Sequence, residues 1–505
     1  QLGEPVGQTV GYRTRLDSKI SSTTQIEVVT EGILTRLIQH DPQLENYAIV
    51  IFDEFHERSL QADLGLALIL EAQLALRDDL RILVMSATLN TEPLARVLGE
   101  APLISTQGRS FPVEVLYQPP RSQHWLDALV NCIHAALREQ SGSILVFLPG
   151  VGEIRRVAER LAPLQSDSIL LAPLYGNLSS QKQDEAIQPA PNGMRKIVLA
   201  TSIAETSLTI EGIRVVIDSG QQRRAVFNPN SGTSQLITSR VSKAAAEQRK
   251  GRAGRIEPGV CYRLWSADEH LSLPEFTPPE ILEADLASVV LELAQWGARE
   301  PTDLAWVNTP PQAHWDQAKQ LVQTLRLLDA HGAITELGKA ARELGLHPRL
   351  ATMVLQGRTL GLGKTAAQLA ALLSERDILS NHQDSDMHER IRVLNGETSQ
   401  PIDKARVHSV KQAAQQLCSD KESRIPSPEE VGRVLAFAYP DRLGKQRKNQ
   451  SGRYQLSNGK GATLRASDSL AGNPWLVAAE LDGKSKEATI FLAAPITLAD
   501  IEHDH

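Results

Sequence analysis

The sequence predicts an α/β protein with two tandem lobes built on parallel sheets, followed by a helical region and a small β-rich region. Two observations lead to this prediction. Short apolar runs alternate with helical stretches up to about residue 265, in two similar blocks. Residues 270–425 are then rich in leucine and alanine with helical periodicity, and residues 430–505 return to short strands and turns.

Composition and charge exclude several classes of protein. The 505-residue chain has 41% hydrophobic and 22% charged residues, as soluble globular proteins do. Its three cysteines are more than a hundred residues apart and form no zinc or disulfide pattern, which favours a reducing, cytoplasmic location. The longest apolar stretch, 62–76, contains Asp63 and Glu71, so no membrane segment is expected. The net charge of −7 means that a nucleic-acid partner would need a local basic face.

Each block contains runs that we expect to form buried strands. In the first block these runs are QIEVVT (25–30), YAIVIFDE (47–54) and LRILVMSAT (80–88), and a helix is expected over 63–76. In the second block they are SILVFLPG (143–150), SILLAPLYG (168–176), KIVLATS (196–202) and IRVVIDSG (213–220). Pro112, Pro119 and Pro120 predict a linker between the blocks, and SPEE (427–430) predicts another. The two alternating arms of 221–239 predict a hairpin around NPNSG.

An acidic pair follows the second of these strands. Asp53 and Glu54 should lie at its carboxyl end, where open α/β sheets bind their ligands. Asp53 would then hold the Mg²⁺ of a nucleotide, and Glu54 would orient and deprotonate an attacking water. A solvated acidic turn is the alternative, and His56, Glu57 and Arg58 directly behind the pair argue against it.

A basic segment lies near the end of the second block. Between residues 240 and 255 there is one acid, Glu247, and there are six basic residues, which are Arg240, Lys243, Arg249, Lys250, Arg252 and Arg255. One interpretation is a solvated basic face or a nucleic-acid patch. The more specific interpretation is a pair of arginine fingers. On a helix, Arg252 and Arg255 would share a face, and their guanidinium groups would suit the oxygens of a transferring phosphoryl group. Arg249 and Lys250 would then be ordinary charges on other faces.

These segments, together with VVTEGILTR (28–36) and LATSIAETSLTIEGIRVVID (199–218), resemble the superfamily 2 helicases of the DEAH/RHA type. The resemblance covers nearly the whole chain. Phe55 in place of the usual alanine, FLPGVGEIRRV (147–157) and the late YPDRL (439–443) point to the bacterial HrpB-type branch.

The resemblance implies an architecture with boundaries. It implies two RecA-like lobes, at 1–110 (incomplete) and 111–266. A winged-helix-like segment at 267–342, a ratchet-like helical bundle at 343–426 and a β-rich, OB-like module at 427–505 would follow. It also implies a fragment shortened at both termini. The hairpin at 221–239 would separate or guide strands.

The resemblance also implies roles for individual residues. His56 would couple the acidic motif to Gln248. The implied catalytic residues are Asp53, Glu54, His56, Gln248, Arg252 and Arg255. Thr209 and Glu211 would lie near the ribose and the metal, while Ser86 and Thr88 would link nucleotide state to lobe closure. Thr30, Gly32 and Thr201 would contact the nucleic-acid backbone, largely without reading bases.

The implied function is that of an ATP-dependent helicase or translocase. It would use ATP and Mg²⁺ and act on single-stranded or partly duplex nucleic acid, with RNA favoured over DNA. A non-catalytic nucleic-acid-binding or scaffold protein is the alternative, because G-x-x-x-x-G-K-[ST] does not occur in the sequence. The imperfect GRTLGLGKT (357–365) follows a helical pattern, so Lys364 is expected on a helix surface. We expect the 505-residue chain by itself not to hydrolyse ATP.

Overall fold

The computed structural model describes most of the chain. The described residues are 2–14, 17–87, 92–106, 111–121, 124–176, 178–191, 193–205, 209–379, 384–397, 401–418, 424–483 and 487–505.

The first lobe contains the strands predicted from the first block. Its elements are β1 (Val10–Arg13), β2 (Ser18–Lys19), β3 (Ile26–Val29), α1 (Glu31–His40), β4 (Ile49–Phe52), α2 (Leu60–Ala75), β5 (Arg81–Val84) and α3 (Glu92–Val97). Strand β1 pairs in parallel with β3, and β4 pairs in parallel with β5, where Phe52 lies opposite Val84. Val50 and Phe52 point into the core, while Ile49 and Ile51 are exposed on the opposite face.

Helix α2 is the central helix of the first lobe. Ser59 caps its N-terminus by accepting a hydrogen bond from the N–H of Ala62. Leu64, Leu66 and Ile69 are buried on different sides of the helix, as expected of a helix that is apolar all round. The predicted helix is therefore confirmed as a buried element.

The second lobe is built on a parallel sheet. Its elements are β6 (Val113–Tyr117), α4 (Trp125–Glu139), β7 (Ser143–Phe147), α5 (Val151–Leu161), β8 (Ile169–Leu174), α6 (Ser180–Ile187), β9 (Arg195–Ala200), β10 (Ile213–Asp218), β11 (Gln221–Asn228), β12 (Thr233–Arg240), α7 (Lys243–Gly251), β13 (Gly259–Arg263) and α8 (Ala267–Leu271). Six of these strands pair in the order β6-β13-β10-β7-β9-β8. Along β7, Ile144 and Val146 face one core and Leu145 and Phe147 face the other, so both sides of the sheet are covered.

Two predictions about this lobe have different outcomes. The hairpin is confirmed, since β11 and β12 pair from Gln221–Arg240 to Asn228–Thr233. The proline-marked linker at 112–120 is wrong in its centre, because β6 lies between the prolines and pairs with β13 at the sheet edge. The prolines lie outside the paired residues, so they remove no hydrogen bond from the ladder.

The helical region follows the second lobe. Its elements are α9 (Ala287–Trp296), α10 (Gln312–Thr324), α11 (Glu336–Glu343), α12 (Pro348–Thr359), α13 (Gly363–Ser374), α14 (Met387–Leu394), α15 (Lys404–Leu417) and α16 (Pro428–Ala436). SPEE is a helix start rather than a linker, because Ser427 and Glu430 form a reciprocal capping box at the beginning of α16. Lys364 lies in the first turn of α13 and donates to Oδ1 of Asn395 at 2.7 Å, so the imperfect GKT is helical.

The chain ends in a small closed barrel. Its elements are β14 (Leu443–Gln446), β15 (Arg453–Leu456), β16 (Gly461–Thr463), β17 (Trp475–Leu481), β18 (Glu487–Pro495) and α17 (Leu498–Asp504). The strands close in the order β14-β15-β16-β18-β17. The fold class of two parallel-sheet lobes, helices and a small β-rich segment is confirmed.

The cores show which parts of the molecule pack as one body. Leu68 of the first lobe belongs to the same core as Leu291 and Trp315 of the helical region. Polar contacts reinforce this packing, since the indole N–H of Trp296 donates to Glu71 at 3.1 Å. The second lobe has its own cores on the two faces of its sheet. Within the described ranges, every helix is too short or too polar to cross a lipid bilayer.

Candidate functional site

A cavity of about 580 Å³ lies where the two lobes face each other. The first lobe contributes His56 and Ser86, and the second contributes Glu205 and Gln248. Asn308 of the helical region completes the lining on a third side. The cleft therefore brings predicted site residues from distant parts of the sequence together.

The acidic pair lies in a tight turn at the carboxyl end of β4. Oδ1 of Asp53 accepts the N–H of Glu54 at 2.9 Å. Glu54 adopts a left-handed backbone with φ of 51°, a conformation that few residues other than glycine take. The N–H of Phe55 donates to the carbonyl of Met85 at 3.0 Å, so the turn is attached to the end of β5. Both carboxylates thus lie at the carboxyl end of β4, directly before Phe55 and His56, which line the cavity.

His56 connects the acidic turn to the segment after β5. Its side chain is 5% exposed, and its Nδ1 accepts the N–H of Ala87 at 3.2 Å. The same Nδ1 lies 3.4 Å from Oε2 of Glu54. Since Nδ1 is an acceptor, the neutral ring carries its proton on Nε2, which is buried without a hydrogen-bond partner among the described residues.

The predicted coupling of His56 to Gln248 stays a prediction. Gln248 lies on α7 and lines the same cavity as His56. The neighbours of Nδ1 on His56 are Ala87 and Glu54, both in the first lobe. Ser86 is exposed and lines the cavity, whereas Thr88 lies outside the described residues.

The two predicted arginine fingers do not share a helix face. Helix α7 ends at Gly251, Arg252 is its C-cap residue, and Arg255 lies in the turn that follows. Glycine disfavours helix continuation at 251 and 254. At Gly254 the chain also passes so close to Phe111 that a Cβ would lie 2.6 Å from its carbonyl oxygen. The helical argument for pairing these arginines was wrong, and the turn brings them together instead.

Both arginines contact the segment that follows β9. Nε of Arg252 donates to the carbonyl of Glu205 at 2.9 Å, and Nη1 of Arg255 donates to Oγ1 of Thr209 at 2.6 Å. Burial and the neighbouring charge of Arg255 lower the pKa of Arg252 to about 10, against the opposing effect of the Glu54 carboxylate. Glu54 therefore acts electrostatically on Arg252 from the opposite lobe.

The other predicted contact residues occupy the ends of elements. Glu211 is exposed in the turn before β10. Thr30 is the N-cap residue of α1, with its side chain exposed and making no capping bond, and Gly32 follows in open space. Thr201 begins the short turn after β9. Thr30 and Gly32 are exposed and Thr201 is half-buried. The amides of Thr30 and Thr201 donate to the carbonyls of Arg13 and Leu174, and the nucleic-acid role of all three residues stays a prediction.

Arg249 was predicted to be an ordinary charge, and this prediction is wrong because the residue is buried beside the site. Its side chain is 1% exposed and donates to Oδ1 of Asp218 and Oε1 of Glu205, each at 2.7 Å. Burial alone would lower the pKa of Arg249, and the two carboxylates overcome that effect and raise it. The guanidinium also lies 4.9 Å from the ring centre of Phe147. The basic segment is therefore not a plain solvated patch. Asp218, a carboxylate at the end of an apolar strand, was the feature of the sequence that indicated a buried basic partner.

The donor groups at the cleft fit a magnesium–nucleotide complex. In the described part of the chain, no three His, Cys, Asp or Glu side chains form a closed metal site. Mg²⁺ commonly binds proteins through one or two carboxylates and the phosphates of a substrate, so a closed site is not required. Asp53 is exposed at the carboxyl end of β4 and offers such a carboxylate.

Comparisons with known proteins agree with the fold and the cleft. The family model "DEAD/DEAH box helicase" matches residues 6–97, and "Helicase conserved C-terminal domain" matches residues 125–257. These matches, with those below, place the chain in the DEAD/DEAH box helicase family.

Within this family the chain is similar to HrpB. It is 44% identical over 503 residues to "ATP-dependent RNA helicase HrpB" of Escherichia coli (strain K12), covering 99% of this chain and 60% of that protein. It is 37% identical over 394 residues to "ATP-dependent RNA helicase HrpA" of the same organism, covering 75% of this chain and 30% of HrpA.

A solved structure shows the same similarity. "Crystal structure of Escherichia coli DEAH/RHA helicase HrpB" aligns with a TM-score of 0.84 at 43% identity, covering 98% of this chain and 62% of that one. The chain thus spans about three fifths of the length of the HrpB relative.

Proposed function

We propose that the protein is an ATP-dependent nucleic-acid helicase that couples ATP hydrolysis to strand movement, with RNA favoured over DNA. One observation carries this proposal: the cavity between the lobes is lined by His56 of the acidic turn on one side and by Gln248 of the basic segment on the other. An ATPase of this kind needs a base on one side and positive charge on the other. The printed names of the relatives support the substrate class, since HrpB and HrpA are called ATP-dependent RNA helicases.

In the proposed reaction, Glu54 orients the attacking water and accepts its proton. The left-handed turn places Glu54 directly before Phe55 and His56, which line the cavity, and the 43% exposure of its side chain leaves it accessible to solvent. A base held in this way contributes about 10²–10⁴-fold to a hydrolysis rate. Asp53 would hold Mg²⁺, which when bound neutralises charge on the nucleotide phosphates.

Arg252 and Arg255 would stabilise the charge that develops on the transferred phosphoryl group. The contacts with Glu205 and Thr209 hold both guanidinium groups in place near the cleft. Such pre-positioning means that little reorganisation is needed at the moment of reaction. Gln248 and Glu211 would contact the nucleotide from the same lobe.

Strand binding would use Thr30 and Gly32 of the first lobe and Thr201 of the second. Thr201 and Glu205 flank the short turn Ser202–Ala204, so a strand bound at Thr201 would lie four residues from the carbonyl that holds Arg252. This short connection supports coupling between strand binding and hydrolysis. We also propose that the 505-residue chain alone does not hydrolyse ATP, because it contains no G-x-x-x-x-G-K-[ST] phosphate loop.

The test compares unwinding of matched RNA and DNA duplexes by the full-length protein with and without ATP and Mg²⁺. We expect ATP-dependent unwinding with faster action on RNA, and binding without turnover for the 505-residue chain. Strand binding by the full-length protein without ATP hydrolysis would contradict the proposal and favour a scaffold. Robust Mg²⁺-dependent hydrolysis by the 505-residue chain would contradict the requirement for a phosphate loop.

A further inference from the structure

The acidic turn contains two residues in a disfavoured backbone conformation. Glu54 and Arg58 both have φ of 51°, and a short 3₁₀ turn, Phe55–Glu57, separates them. Residues other than glycine keep this conformation only where the surrounding contacts determine it. Side chains next to the turn must therefore hold it.

Phe55 is the first of these side chains. It is 3% exposed, and its ring meets that of Phe52 edge to face with centres 5.8 Å apart. The guanidinium carbon of Arg58 lies 5.6 Å from the centre of the same ring. A phenyl ring that contacts both a core ring and a cation is held by two favourable interactions. Since alanine has no ring, it would leave the Arg58 guanidinium without this contact.

Arg58 is held in turn by contacts that fix its orientation. Its Nε and Nη2 donate to the two carboxylate oxygens of the buried Asp63 at 3.0 and 3.2 Å. The same Nη2 donates to Oδ1 of Asn308 in the helical region at 2.8 Å. The carbonyl of Arg58 accepts the N–H of Glu280, also in the helical region, at 3.1 Å. The turn is thus anchored to a second part of the molecule.

We propose that Phe55 and Arg58 are positioning residues that hold Glu54 in its left-handed conformation and tie the acidic turn to the helical region through Asn308. Both residues line the cavity, and both act on the position of Glu54 and His56. This inference rests on the proposed hydrolysis of ATP and identifies which residues of this chain support its base.

The test measures steady-state ATP hydrolysis and thermal unfolding of full-length variants. Phe55→Ala is expected to lower kcat by about ten- to a hundredfold with little change in the KM for ATP, since displacing a catalytic group by about 1 Å costs that much. Phe55→Leu should recover most of the melting temperature but not the rate, because leucine fills the space without an aromatic face. Ile38→Ala removes a fully buried side chain from the same core and is the matched control, expected to lower the melting temperature and leave kcat unchanged.

A double-mutant cycle then tests whether the two residues act together. If they do, Arg58→Ala added to Phe55→Ala lowers kcat by less than the product of the two single effects. Wild-type kcat in Phe55→Ala, full recovery of kcat in Phe55→Leu, or independent single effects would overturn the inference. Failure of this inference is distinguishable from failure of the proposed function. If only the positioning inference is wrong, Glu54→Gln still loses hydrolysis, whereas it keeps hydrolysis if Glu54 is not the base.

Discussion

Nδ1 of His56 accepts a hydrogen bond from the backbone N–H of Ala87 at 3.2 Å. This bond joins the turn after β4 to the segment after β5, which are neighbouring strands of the first lobe. Because the same nitrogen lies 3.4 Å from Glu54, a shift of the Ala87 segment moves the surroundings of the proposed base.

Removing this ring should weaken the response of hydrolysis to nucleic acid. His56→Ala leaves the N–H of Ala87 without its acceptor, at a cost in stability of about 1 kcal/mol. We expect the ratio of ATPase rates with and without RNA to fall, while ATP binding persists. His134→Ala, on α4 of the second lobe, is the control. An unchanged ratio in His56→Ala would show that the His56–Ala87 bond carries no coupling.

The arginines of the second lobe should affect hydrolysis far more than strand binding. Arg252→Ala and Arg255→Ala are each expected to lower kcat by about 10³–10⁵-fold, as loss of an arginine finger does. Lys250→Ala is the control, since Lys250 lies in the same segment and pairs with Glu247. ATPase rate and strand affinity are measured at two salt concentrations. Equal, modest losses of affinity in all three variants, with hydrolysis unchanged, would identify the segment as a phosphate-binding patch.

Asp218 should be essential to the stability of the second lobe. Asp218→Ala removes a fully buried partner of Arg249 and leaves that guanidinium with one carboxylate fewer. The free energy of unfolding is expected to fall by about 3–5 kcal/mol. Denaturant unfolding measures the change, with the exposed Asp184→Ala as a control near zero. A loss below about 1 kcal/mol would mean that the buried ion pair adds little.

Stability should depend on pH through Asp63. Burial, opposed by Arg58 and assisted by the charges of Glu280 and Glu31, raises the pKa of Asp63 from 3.8 to about 6. The folded protein therefore binds this proton more tightly than the unfolded chain. The contribution of this proton to the free energy of unfolding is complete below about pH 4. It is lost as the pH rises through about 6, which lowers the free energy of unfolding by up to about 3 kcal/mol.

Denaturant unfolding at several pH values checks this dependence. Asp63→Asn cannot titrate, so its stability should lack this fall between pH 4 and pH 6. The pKa of Asp63 itself can be followed by carboxyl-carbon NMR. Parallel pH profiles for the wild type and Asp63→Asn would contradict the raised pKa.

Local patterns were sufficient to predict most elements of both lobes. Each apolar run ending in Asp53, Ser86 or Asp218 forms a parallel strand. The run before Asp218 is buried on both faces, as its continuous apolar pattern requires, whereas β4 buries only Val50 and Phe52 on one face. The start of α16 could also have been predicted, since Ser427 and Glu430 have capping-box spacing. The prolines and charges around these residues favoured a linker instead.

What the sequence could not predict depends on contacts between distant segments. The edge strand β6 is defined by its pairing with β13, about 150 residues later along the chain. Arg249 is buried because Asp218 and Glu205 converge on it, which the basic composition of its own segment conceals. The contact of Arg58 with Asn308 joins residues 250 positions apart.

The central claim is that Glu54 is the base for ATP hydrolysis, and Glu54→Gln tests it most directly. The amide keeps the size and shape of the side chain but cannot accept the proton of the water. In single-turnover experiments with the full-length protein, hydrolysis should fall by about 10²–10⁴-fold while ATP and RNA still bind. Glu57→Gln, in the same turn, should hydrolyse at close to the wild-type rate. Hydrolysis by Glu54→Gln at the wild-type rate would contradict the account.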